Sequence, residues 1–145
     1  MARVLGVDYG ERRVGLAVSD PSGTIAQPLP TLARRTGKRP PVHAVAELAR
    51  EWQVEAIVVG LPLTLEGDES DWTREARAFG DRLADRTGLP VHFVDERMTS
   101  VRAERAVRSL GLRRADREDR SRVDAAAAIL ILQAFLDRTA RGQAT

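Results

Sequence analysis

The first 32 residues constrain the fold more than any other part of the chain. Arg3–Tyr9 (RVLGVDY) is a mostly apolar run closed by Gly10, and Arg13–Ser19 (RVGLAVS) follows almost at once. Asp20-Pro21-Ser22-Gly23 is a strong turn sequence, and Thr24–Leu32 reads as a third extended segment. Strands joined this tightly form an antiparallel meander. Pro28 and Pro30 cannot donate to a ladder, so the third strand belongs at an edge.

After the meander the pattern changes to alternating helix and strand. Pro40 and Pro41 open a helix with Val45, Leu48, Ala49 and Trp52 on one face. Glu55–Gly60 (EAIVVG) suits a short buried strand. The Gly/Pro-punctuated loop LPLTLEGDES then leads into a helix lined by Trp72, Ala76, Phe79 and Leu83 and stopped by Gly88. Pro90–Asp95 (PVHFVD) is the fifth strand. A helix from about Thr99 to Leu110, a charged loop over Leu112–Arg120 and a last helix from about Ser121 to Arg138 complete the chain.

The order β-β-β-α-β-α-β-α-α predicts an α/β domain with a mixed five-stranded sheet and helices on both faces. Right-handed crossovers put the first strand at the centre, the fourth beside it and the fifth beyond. One domain over residues 1–139 is expected, with 140–145 a flexible tail.

With no cysteine, disulfides and thiolate metal sites are excluded, and only His43 and His92 offer imidazole. Any metal would be held mainly by oxygen, which favours hard ions such as Mg²⁺ or Mn²⁺. No secretory signal fits the N-terminus, and the apolar run Ala125–Leu136 is too short to cross a bilayer, which takes about 20 residues. A soluble, cytoplasmic protein without membrane contact is expected.

Net charge is only +2, but its distribution is uneven. Glu47 to Glu75 holds eight acids against Arg50 and Arg74, a balance of −6. Arg97 to Arg122 holds nine arginines against four acids, a balance of +5, which suggests a polyanion partner. Of the 23 basic residues 22 are arginine, whose guanidinium grips phosphate as a fork but is also common for reasons of codon usage.

Acids at three places in the chain sit where carboxylates are costly. Asp8 ends a strand that reads as buried on both faces, where it needs a cation, a donor or a proton; the alternative is a turn-capping aspartate before Gly10. Asp95 and Glu96 end the fifth strand, and alternation sends them to opposite faces without saying which one meets Asp8. Asp124 precedes an apolar helix, AAAAILILQAFL, although Ser121-x-x-Asp124 also fits a capping box. Three such carboxylates converging would repel one another. Divalent ions remove the conflict, and a pair about 3.5–4 Å apart can activate water and stabilise the departing oxygen of a phosphodiester.

Four blocks now stand in order: LGVDYGERRVGLAVSD at 5–20, GLPLTLEG at 60–67, VDERMTS at 94–100 and RVDAAAAILILQAFL at 122–136. Together they resemble the YqgF-type bacterial proteins, related to Holliday-junction resolvases and proposed to mature the precursor of small-subunit ribosomal RNA. The resemblance spans essentially the whole chain. It implies a ribonuclease H-like fold and metal-dependent phosphodiester cleavage, with Asp8, Glu96 and Asp124 as catalytic metal ligands. It favours Glu96 over Asp95, and whether Asp95 assists remains open.

Weaker expectations attach to neighbouring residues. Gly10 lets the first hairpin turn tightly, and Gly60 and Pro62 bring the fourth strand's end to the same edge. Arg97 either contacts a phosphate or pairs with Asp95. Arg113 and Arg114 lie in the charged loop, where they would grip nucleic acid or simply meet solvent. The aromatic residues have core spacing, so no stacking platform for single strands is expected. The partner is RNA and/or DNA, bound by a monomer or homodimer. Rival readings are a Holliday-junction resolvase or other DNA nuclease, a nucleotide-binding relative of the actin and sugar-kinase type, and a non-catalytic RNA-binding factor of ribosome biogenesis.

Overall fold

A computed structural model describes residues 2–34, 39–64, 66–98 and 117–140, with the side chains of 98 and 117–124 excepted. Strands β1 (Val4–Tyr9), β2 (Arg13–Ser19) and β3 (Ala26–Ala33) form the meander. Helix α1 (Val42–Glu51), β4 (Ala56–Leu61), α2 (Asp71–Thr87) and β5 (Val91–Asp95) follow. A 3-10 turn over Glu96–Met98 ends this part, and helix α3 (Arg117–Ala140) closes the described chain. The helix expected over 99–110, Arg113, Arg114 and the last five residues of the tail lie outside the described residues.

The sheet has the order β3-β2-β1-β4-β5, with β1 antiparallel to β2 and parallel to β4, and β4 parallel to β5. This is the mixed, five-stranded arrangement expected, with the proline-bearing strand at an edge. That strand begins two residues later than the sequence suggests. The Asp20 carboxylate accepts the amides of Thr24 (2.8 Å) and Ile25 (3.0 Å) and the Ser22 hydroxyl, so these residues are spent on the turn. Those three bonds hold the Asp20 carboxyl down at about 2, the Ser22 hydroxyl contributing most.

Strand alternation divides the sheet into two faces with separate cores. Leu5, Val7, Tyr9, Ile57, Val59 and Leu61 pack towards α1 and α2, whose Val45, Ala49, Ala76, Phe79 and Leu83 meet them. Val4, Ala17, Val58 and Val94 pack on the other face against Ala127, Ala128, Ile131, Leu132 and Leu136 of α3. Gly6 lets α3 come close: a Cβ there would lie 2.7 Å from Leu132 Cβ and 3.1 Å from the Ala128 carbonyl oxygen.

Local signals explain most helix ends. Ser70 caps α2 through the amide of Thr73, and the Thr73 hydroxyl accepts the Ser70 amide in return. Gly88 ends α2 in the left-handed region at φ 71° and donates to the Ala84 carbonyl. Helix α3 departs from expectation. It starts at Arg117, so Arg117–Arg120 are helical rather than loop, and Ser121 is its fifth residue and not its N-cap. The capping-box reading of Ser121 and Asp124 is thereby removed. Among the described residues no helix is long and apolar enough to cross a membrane.

Candidate active site

Asp8 and Glu96 are the two buried carboxylates among the described residues, each about 3 % exposed. Their neighbours explain the position of both. In β1, Gly6 touches α3 and Val7 belongs to the opposite core, so alternation turns Asp8 towards the α3 face. In β5, Val94 packs on the α3 core, which turns Asp95 away and lets the 3-10 turn bring Glu96 back. Gly60 pairs with Val94, one step beyond the Val7–Val59 pair that joins β4 to β1. A Cβ on Gly60 would lie 3.0 Å from Glu96 Oε1 and 2.5 Å from Ile131 Cδ1. Glycine here leaves the space into which the Glu96 carboxylate fits.

Helix α3 brings the third acid towards this edge by its backbone course. Ile131 meets Gly60 near the C-terminal end of β4, whereas Phe135 packs at a tilt against His92 near the start of β5, with ring centroids 5.0 Å apart. The helix therefore runs away from the Asp8–Glu96 edge, and its earlier residues lie nearer to it. Asp124 lies on α3 seven residues before Ile131, so its backbone belongs to the part of the helix nearer that edge.

Asp95 has a different occupation. It accepts the Arg97 amide at 2.9 Å and the Arg97 guanidinium at Nε (3.0 and 3.1 Å) and Nη2 (2.7 Å). Of the two sequence readings of Arg97, this geometry is the ion pair. The same guanidinium lies over Gly67 of the β4–α2 loop, where a Cβ would be 3.0 Å from Nη1. Asp95 thus shapes the turn that carries Glu96. Replacing Asp95 with asparagine is expected to lower nuclease turnover by about 10- to 100-fold. Glu96→Gln should remove it, and steady-state cleavage rates of the two variants side by side check this.

Gly10 donates to the Arg13 carbonyl at 3.0 Å, and a Cβ on it would lie 2.5 Å from that oxygen. The tight hairpin expected there is present. Pro62 follows the last residue of β4, and its carbonyl accepts the Thr73 hydroxyl at 2.8 Å and so anchors the start of α2.

Arg34 was not foreseen. Its guanidinium donates to the Gly10 carbonyl at 2.8 Å and lies 4.6 Å from the centroid of the Tyr9 ring. It thereby clamps the hairpin that carries Asp8. No local pattern could have found this contact, because Arg34 and Gly10 are 24 residues apart. Tyr9 stacks between Trp72 (5.2 Å) and Phe79 (4.5 Å), in keeping with core use of the aromatics. Burial raises the Tyr9 hydroxyl above its ordinary range, with Arg34 acting against the rise.

A β-meander followed by αβ units in the order β3-β2-β1-β4-β5, with buried acids at the ends of β1 and β5 on either side of β4, defines the ribonuclease H-like class. Thermus thermophilus RuvC bound to a Holliday junction has the same fold, with a TM-score of 0.63 and 23 % identity over 99 % of this chain and 98 % of that one. A second Thermus thermophilus RuvC structure gives 0.55 and 24 % over 95 % and 96 %. A family model described as "RuvX: Holliday junction resolvase" matches residues 2–138. A protein of Anaeromyxobacter sp. (strain K) is 46 % identical over 138 residues, 95 % of this chain and 98 % of its own length. One of Koribacter versatilis (strain Ellin345) is 46 % identical over 136 residues, 94 % and 87 % of the two chains. Both bear the name "Putative pre-16S rRNA nuclease". The chain belongs to the RuvX family, and its activity class is that of a nuclease.

Proposed function

We propose that this nuclease cuts phosphodiester bonds of the small-subunit ribosomal RNA precursor in the cytoplasm, with Asp8, Glu96 and Asp124 holding Mg²⁺ or Mn²⁺. The observation that carries the reading is the convergence of the buried Asp8 and Glu96 on one face of the sheet. Carboxylates removed from water together need positive charge beside them. An all-oxygen donor set in a chain without cysteine fits a hard divalent ion. The bound metal would supply a polarised water and charge stabilisation for the phosphoryl oxygens. The chain's own part is to fix the acids: Arg34 holds the hairpin behind Asp8, Asp95 shapes the turn behind Glu96, and Gly60 leaves room between them. The names of the relatives at 46 % identity favour ribosomal RNA as substrate.

A second reading, resolution of four-way DNA junctions, is favoured by the description of the family model. Paired cuts across a junction need two sites, hence a symmetric dimer, whereas trimming one RNA strand needs one. The test incubates the protein with precursor 16S RNA, single-stranded DNA and a four-way junction, each with Mg²⁺, Mn²⁺ or EDTA. Metal-dependent cleavage of the RNA in preference to the junction is expected. Paired junction cuts by a protein inert on RNA would overturn the RNA reading, and cleavage that persists in EDTA would overturn the metal.

A further inference from the structure

On the face opposite α3, a groove of about 880 Å³ opens between the start of α1 and the second half of α2. Arg39, His43, Arg82 and Arg86 line it, with Asp85 as the acid among its walls. Most other arginines of α1 and α2, and Arg97, are neutralised: Arg50 pairs with Glu47, Arg74 with Asp71, Arg77 with Glu69 and Arg97 with Asp95. Among the described residues Arg39, Arg82 and Arg86 form no ion pair with a carboxylate. Arg86 instead donates to His43 Nδ1 at 2.5 Å. Arg82 and Arg86 stand one turn apart on α2, about 6 Å along its axis. The first turn of α1 adds no acid of its own.

We propose that this groove binds the phosphate backbone of a nucleic-acid strand. Three guanidinium groups beside the single carboxylate of Asp85 leave the groove with excess positive charge, and a row of phosphates relieves their repulsion while releasing counterions. The inference rests on the nuclease reading for the identity of the polyanion, but not for the anion binding itself. It also differs from the charge pattern along the chain, which points to residues 97–122. The groove draws its cations from two separate segments, one of them next to the acid-rich stretch.

The test measures fluorescence anisotropy of a labelled single strand, as RNA and as DNA of the same sequence, in EDTA over a series of salt concentrations. Wild type is compared with Arg82→Ala/Arg86→Ala and with Arg82→Lys/Arg86→Lys. Both positions are exposed, and circular dichroism verifies the fold. The alanine pair is expected to bind on the order of tenfold more weakly, with a slope of log affinity against log salt shallower by roughly 1.4, or about 0.7 per lost phosphate contact. The lysine pair should keep the salt slope. The RNA and DNA arms tell which strand is taken. An unchanged salt slope in the alanine pair overturns the proposal, even if the nuclease reading stands. Weakened binding in a protein that cleaves nothing would uphold the groove and sink that reading instead.

Discussion

Asp8→Asn is expected to remove nuclease activity by more than on the order of 10²-fold while leaving the fold intact. The loss should exceed the 10- to 100-fold typical of groups that merely support metal ligands, because in the proposed function Asp8 would touch the ion itself. Asparagine matches aspartate in shape, so the packing of β1 against α3 has no reason to change. It lacks the charge, and a neutral amide oxygen is a poorer ligand for a hard cation. Thermal unfolding in Mn²⁺ and in EDTA separates the two effects. A ligand that binds only the folded protein stabilises it by about 2.7 kcal/mol at a hundred times its Kd. The wild type should therefore melt higher in Mn²⁺ than in EDTA, whereas the variant should melt alike in both. Near-normal cleavage by Asp8→Asn would remove Asp8 from the site.

Gly60→Ala is expected to cost about 1–3 kcal/mol of stability and about tenfold in turnover, for two separable reasons. The new Cβ would stand 2.5 Å from Ile131 Cδ1, and Ile131 is fully buried with no free space to swing into. Overpacking of this kind accounts for the stability term. The same Cβ would stand 3.0 Å from Glu96 Oε1 and push the carboxylate by a few tenths of an ångström. Catalysis is sensitive to such displacement, since a misplacement of about 1 Å can cost 10²-fold. Ile131→Val deletes Cδ1 and should cost about 0.5–1.5 kcal/mol alone. Combined with Gly60→Ala it should recover most of the stability, giving a favourable coupling energy in a denaturant double-mutant cycle. Turnover should not recover, because the crowding of Glu96 remains. A double variant that regained both would show that Gly60 acts through helix packing alone.

The elements of the sheet were legible in the sequence because each carries a local signal. Prolines removed ladder donors from β3, the Asp20-Pro21-Ser22-Gly23 run made a turn, and Gly88 closed a helix at positive φ. Boundaries failed where side chains consumed backbone donors, as Asp20 does at Thr24 and Ile25, or where charge was mistaken for lack of structure, as at Arg117–Arg120. Four acids were flagged by the cost of burying charge, and that argument rests on sequence. The choice between Asp95 and Glu96 did not follow from it, because a sheet covered on both sides offers no polar face to break the tie.

What the sequence determined alone was the order of strands and helices, the absence of thiolate chemistry, and the few acids standing beside apolar runs. These follow from periodicity and from the free energy of removing a carboxylate from water, both of which act within a few residues. The tertiary structure decided what depends on distant partners. Gly60 and Val94 in register set the face to which Glu96 returns, and Arg34 reaches across 24 residues to the hairpin of Asp8. Likewise Arg39 and Arg82, far apart along the chain, come to share one groove. Charge and shape at a site are sums over neighbours in space, and only folding decides which residues those neighbours are.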